Sequence, residues 1–200
     1  MNAHRRISLW LVGGALLICA IFFGLRKHPQ VTPTVRELAR SEFDLRDGRL
    51  FVKGEAQPFN GKVVETYAAG KRKLEIEISQ GQANGLSRGW YDNGQLEVEE
   101  TFHNGISHGP RTRWHANDNR KSLAQIEQGK VVGEFIEWHA NGQMAARMKL
   151  SEGHPDGIVE AWHPSGALKS RVRFAVGKQF GREFWPDPAL AVAASPAKRE

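Results

Sequence analysis

Apolar and polar residues alternate through most of this chain, as in Leu96-Glu-Val-Glu-Glu-Thr-Phe102 and Leu168-Lys-Ser-Arg-Val-Arg-Phe174. Alternation with a period of two marks strands that bury one face. Between the alternating runs stand turn signals such as Asp92-Asn93-Gly94, Ala140-Asn141-Gly142 and Pro164-Ser165-Gly166. Each pair of runs therefore reads as a β-hairpin. The pattern is absent at the start of the chain, where Ile7 to Leu25 carry no charge, and in the Ala- and Pro-rich end.

The hairpins recur in phase. Gly61, Gly85, Gly109, Gly133, Gly157 and Gly181 fall every 24 residues. Five residues after four of these glycines stand Trp90, Trp114, Trp138 and Trp162, and six after come Tyr67, Tyr91, His115, His139 and His163. Seventeen after, the residue is always apolar: Ile78, Phe102, Ile126, Leu150 and Phe174. Nine after comes Gly70, Gly94, Gly142 or Gly166, with Asp118 in the third unit. A fixed period of this length signals a repeat architecture. The fold class expected is all-β: an elongated single-layer antiparallel sheet of consecutive hairpins, about six units of 24 residues. The last unit is truncated, and its Trp185 comes one residue early.

The turn chemistry sets the register. Ala69 and Ser165 are poor choices for the positive φ of a two-residue turn, whereas Pro164 suits the first central position of a type I turn. The expectation is a three-residue loop closed by a left-handed glycine, with Asp118 tolerating that position. The fifth residue of each unit then faces the eleventh. This places the tryptophans on a buried face with Leu96, Met144, Leu168 and the apolar seventeenth residues. It places the Tyr/His column on the other face, beside the charges of the second strands. Those charges run from Lys73, Glu75, Glu77, Glu97 and Glu99, mainly acidic, to Arg147, Lys149, Lys169, Arg171 and Arg173.

Composition changes the picture in two places. The formal net charge is +6, but Arg5, Arg6, Arg26 and Lys27 flank the apolar run, and without them 24 basic residues face 22 acidic ones. That balance is no nucleic-acid signature. The run itself, 19 residues in all, is long enough as a helix to cross the hydrocarbon of a bilayer. It reads as a retained anchor (residues 1–28, spanning about 7–25). A linker over 29–44, with a short helix from Thr34 to Arg40, follows. The repeats then occupy 45–187 and a disordered tail 188–200. The N-terminus is expected inside and the repeats outside the cytoplasm, at the inner membrane.

The in-phase pattern of Trp, Tyr or His, glycine turn and apolar residue resembles the bacterial variant of the MORN (membrane occupation and recognition nexus) repeat. The stretches GWYDNGQLEVEETFHNGISHG and GEFIEWHANGQMAARMKLSEGHPDG carry it best. The resemblance covers roughly residues 45–187. It implies ribbons of antiparallel hairpins, and roles in protein scaffolding, membrane-lipid contact or, for many bacterial members, the label of a YwqK family antitoxin of a toxin–antitoxin system. His at three usual Tyr positions and Asp118 for Gly depart from the pattern.

No nucleophile elbow, zinc-helix motif, P-loop or dinucleotide fingerprint is present. The only cysteine, Cys19, lies in the apolar run, so the expectation is a non-enzymatic protein without metal or cofactor. The expected partner is a protein, such as a toxin or an envelope protein. It would be met by Tyr67, Tyr91, His115, His139, His163, Lys149, Lys169, Arg171 and Arg173. The His column reads either as aromatic replacement of Tyr or as a pH-sensitive stripe. The glycine beat and the four tryptophans are read as structural. An envelope scaffold touching anionic lipid through the basic distal end is the alternative.

Overall fold

The computed structural model describes residues 35–175 and 177–193. The expected anchor lies outside them. No helix among the described residues is long and apolar enough to cross a membrane.

One long sheet carries the repeats in chain order. Its hairpins are β4 (Gly61–Thr66) with β5 (Arg72–Ser79), β6 (Gln82–Trp90) with β7 (Leu96–His103), and β8 (Ile106–Trp114) with β9 (Arg120–Glu127). They continue with β10 (Lys130–Trp138) and β11 (Met144–Ser151), β13 (Gly157–Trp162) and β14 (Leu168–Ala175), and the half-unit β15 (Lys178–Phe184), which pairs with β14. A two-residue strand, β12 (His154–Pro155), sits on β11. The expected array of consecutive antiparallel hairpins is thus present.

Two boundaries differ from the sequence reading. The expected linker holds β1 (Glu37–Ala39), a 3₁₀ turn (Arg40–Glu42) and the start of β2 (Phe43–Arg46), which pairs with β3 (Arg49–Val52). β1 adds to β4 in parallel, the one parallel pair of the described sheet. The cause is burial: Leu38 and Phe43 pack against Leu50, Val52, Phe59, Val63 and Ile78, the main apolar cluster. The Phe43 and Phe59 rings meet edge to face at 4.8 Å. At the other end the expected tail begins as a helix, α1 (Pro188–Ala193). Asp187 starts it by accepting the Ala189 N–H at 3.0 Å, the usual cap for the free amides of a first turn.

The turns at the two long sides of the sheet differ. On one side, Tyr91 N–H donates to Gln95 at 2.9 Å and Gly94 N–H returns to Tyr91 at 2.9 Å, with Gly94 at φ 90. This is the expected three-residue loop, and Asp118 takes the left-handed position at φ 68. On the opposite side two-residue turns join the units, with both residues left-handed: Gln80 and Gly81, Asn104 and Gly105, Gln128 and Gly129, Glu152 and Gly153. That conformation costs an ordinary side chain about 1–2 kcal/mol. A regular bond offsets it: each turn glycine donates its N–H to the neighbouring hairpin, Gly81 to Phe59 at 2.8 Å, Gly105 to Ala83 at 2.8 Å and Gly129 to Ser107 at 2.9 Å.

The expected register holds, but the expected faces do not. Trp90 faces Leu96, as the loop requires, yet Gly89 faces Val98, so Glu97 is an extra residue. The same one-residue bulge falls at Lys73, Lys121, Ala145 and Lys169. An odd insertion reverses the alternation beyond it. The tryptophans therefore share a face with the charged residues, and the apolar seventeenth residues lie on the other. Among residues of β4–β15, those that are buried (Val63, Ile78, Ser87, Gly89, Ser122, Ala124 and Ile126) all lie on that second face.

The 24-residue glycine beat marks a second kind of bulge, between units. Ala83 faces Ile78 while Ser87 faces Ile76, so three residues around Gly85 sit opposite Glu77. Gly85 holds φ 116, and a Cβ there would lie 2.2 Å from Glu77 Oε2. That carboxylate accepts the Leu86 N–H at 2.9 Å. Two extra residues preserve the alternation. Before β15 the excess is one residue: Phe174 faces Gln179 and Arg173 faces Gly181. The shorter bulge compensates for Trp185 coming one residue early.

A ladder of aromatic columns and a candidate binding face

The Tyr/His column, expected as an outer platform, is half-buried and engaged along the sheet. Tyr67 Oη donates to the Trp90 carbonyl at 2.7 Å and Tyr91 Oη to that of Trp114 at 2.8 Å. His115 Nε2 meets the Trp138 carbonyl at 2.8 Å, His139 Nε2 that of Trp162 at 2.9 Å, and His163 Nε2 that of Trp185 at 2.9 Å. Imidazole and phenol do the same job because each places one donor at the far edge of a flat ring. A carbonyl partner requires that donor, so the Nε2–H form of each histidine is specified. Burial, with the Glu97 carboxylate second, pushes the Tyr91 phenol up against a smaller lowering by Arg113. This favours the protonated form that donates.

A neighbouring column is legible in the sequence, although sequence reasoning missed its role. Asn93, Asn117 and Asn141 recur every 24 residues. Each closes its own loop through Oδ1, as in Asn93 to the Gln95 N–H at 3.0 Å. Each then donates Nδ2 to the next loop: Asn93 to Ala116 at 2.9 Å, Asn117 to Ala140 at 2.7 Å and Asn141 to Pro164 at 2.7 Å. Ser165 ends the column on Asp187 at 2.8 Å. The Ser165 hydroxyl, then the Ala189 N–H and His163, hold the Asp187 carboxyl below its ordinary range despite partial burial.

The candidate face carries Trp90, Trp114, Trp138 and Trp162, none of them fully buried. Equivalent residues of successive hairpins lie two strand spacings apart, about 10 Å. Arg120 lies over the Trp138 ring, 5.6 Å from its centre. The charges on this face are largely paired across strands. Glu75 binds Lys62 and Arg72 at 2.6 Å each, and Arg88 binds Glu99 at 2.7 Å. Glu160 takes both Arg171 at 2.9 Å and Arg147 at 3.3 Å, and Arg173 reaches Glu183 at 3.4 Å. Of the charges in the expected gradient, Lys73, Glu97, Lys149 and Lys169 are exposed and without an ion pair among the described residues, and Glu77 accepts the Leu86 N–H instead. No cluster among the described residues has the His, Cys, Asp or Glu groups to hold a metal ion.

Residues 83–104 match the MORN repeat variant. The matched segment runs from just after one two-residue turn to the next, so the MORN unit here is the hairpin β6–β7 with its three-residue loop. The same loop and one-residue bulge recur in the hairpins on either side, and the glycine bulge recurs between β7 and β8, which supports a MORN-repeat protein beyond the matched unit. No curated protein matches the chain.

Proposed function

We propose that this chain is a non-catalytic MORN-repeat binding module, and that the tryptophan face of its sheet receives a protein partner. The observation that carries this reading is the division of labour between columns. The Tyr, His and Asn columns spend their donors on the sheet itself, while the tryptophans, half-buried like the Tyr/His rings, stand among largely paired charges at a regular spacing. Aromatic rings with a polar surround are the usual anchors of protein interfaces. Lys149 and Lys169 add positive charge that steers an acidic partner. Anchoring by residues 7–25, display outside the cytoplasm and an immunity role against a toxin encoded beside this chain complete the proposal. They rest on the apolar run and on the resemblance of the repeat.

The test is photo-crosslinking from Lys149 and Ile158 on the tryptophan face, compared with Met148 and Val172 on the opposite face, in cells that also express the adjacent reading frame. Crosslinks confined to the tryptophan face support the reading. Crosslinks only from Met148 and Val172 reject it. A Lys149→Glu/Lys169→Glu variant should also slow association, more at low than at high salt.

A further inference from the structure

The two edges of the described sheet differ: the three residues of β1 end it on one side and the seven of β15 on the other. β1 covers the edge of β4, and the β2–β3 hairpin packs beside it. Among the described residues, no strand pairs with β15 on its far side. Six of its seven residues are exposed, with Phe180 at 67% and Phe184 at 58%. A bare edge strand with exposed aromatic residues is a template for another strand.

The sequence of β15, Lys-Gln-Phe-Gly-Arg-Glu-Phe, is complementary to itself when reversed. With Lys178 set opposite Glu183 of a second copy, Gln179 falls opposite Arg182 and Phe180 opposite Gly181. Phe184 falls opposite Gly177. Opposite charges meet, and each aromatic ring lies over a glycine, a pairing that protects bare backbone in edge strands. The one-residue bulge makes this register possible. A twofold axis perpendicular to the sheet requires opposed residues to share a face. Lys178 and Glu183 are an odd number of residues apart, which in a regular strand would place them on opposite faces. Because Phe180 is the extra residue, Lys178 and Glu183 both lie on the tryptophan face, through Ala175 and Arg171. Gln179 and Arg182 both lie on the other face, through Phe174 and Val172. Bulge, charge and aromatic placement thus select one register.

We propose that two copies of this chain join edge to edge through β15, antiparallel, about a twofold axis between Phe180 and Gly181. A twofold pairing uses the β15 edge of both copies at once, so it closes at two copies. The tryptophan face then continues across the junction and is doubled.

The test uses the full chain in detergent, with Cys19→Ser removing its only thiol. Lys178→Cys and Glu183→Cys are prepared separately, carrying tags of different mass, and then mixed under mild oxidation. The proposal expects a disulfide-linked dimer containing one copy of each, and none from either variant alone. Sedimentation equilibrium should show the unsubstituted chain reaching twice its mass as concentration rises. The Phe180→Lys/Phe184→Lys variant should stay at one copy with an unchanged circular dichroism spectrum. A single-copy mass throughout for the unsubstituted chain overturns the proposal. So does a dimer that survives the double lysine variant, or crosslinking of the mixture no stronger than that of its components.

Discussion

The beginning and the end of the sheet use the same repeat frame but are held by different forces. In the first hairpins Leu50, Val52, Phe59, Val63 and Ile78 are all buried around one cluster. After Ile126 no described residue is buried. There the units are tied by ring-to-carbonyl bonds, asparagine bridges and cross-strand ion pairs. Burying a large apolar side chain stabilises by about 1.5–3 kcal/mol, whereas a hydrogen bond contributes about 1 kcal/mol net and an exposed ion pair less. In a repeat array, where each unit contacts its neighbours, such a difference produces a gradient of local stability. The first hairpins should therefore be the last to open and the final ones the first.

The largest way to break this comparison is in the first hairpins. Phe59→Ala empties the centre of the cluster and should cost about 3–5 kcal/mol, read as a lower Tm in thermal unfolding. Hydrogen exchange should then show the first hairpins losing the protection that sets them apart from the last. A cost no larger than that of an exposed substitution would remove the distinction between the two ends.

Next in size come the bulge glycines. Gly85→Ala must adopt φ 116 and displace the Glu77 carboxylate from the Leu86 amide. Gly133 holds φ 70, and a methyl group added there would meet no atom within 4 Å. Both substitutions are strained, by about 1–3 kcal/mol, and Gly85→Ala should be the more destabilising in denaturant unfolding. Equal losses would show that the backbone conformation alone matters.

The ladder gives a smaller effect. His139→Phe keeps the ring but removes the donor to Trp162, and should cost about 0.5–1.5 kcal/mol, the net worth of one hydrogen bond at a half-buried site. His139→Tyr should recover most of the loss, because Tyr67 and Tyr91 make the same bond three and two units earlier. If Tyr rescues no better than Phe, the bond is not what holds the column.

The smallest effect concerns acid just beyond the last strand. The Asp187 carboxyl is lowered from 3.8 by Ser165, the Ala189 amide and His163. A lowered acid adds stability above its unfolded value and loses it as pH falls through the folded value. Protection of the Trp185, Asp187, Ala189 and Leu190 amides, taken relative to intrinsic exchange at each pH, should therefore fall below about pH 4, and Asp187→Asn should lower it already at neutral pH. The first hairpins should not respond through this group.

Much of the fold was legible in the residues themselves. The 24-residue beat, the three-residue loops and the pairing of Trp90 with Leu96 follow from local turn chemistry, which depends on neighbours along the chain. The Asn93, Asn117 and Asn141 column was equally visible as a period, although its reach to the next loop was not. Three features lay beyond local reasoning. Whether a strand carries an odd or an even number of extra residues is decided by its partner strand, so the single insertions at Glu97 and Lys169 and the double ones around Gly85 could not be told apart in advance. The Tyr/His rings found their acceptors only when the next unit was laid beside them, which turned an expected platform into internal bonding. The segment from Glu37 to Arg46 has too few apolar residues to announce strands, and it became ordered because the end of a repeat sheet exposes a face that Leu38 and Phe43 can cover. The sequence by itself determined the repeat, its turns and its period, since these are properties of short stretches of chain. Only the tertiary structure decided which side chains share a face, because that depends on the count of residues taken up between one strand and the next.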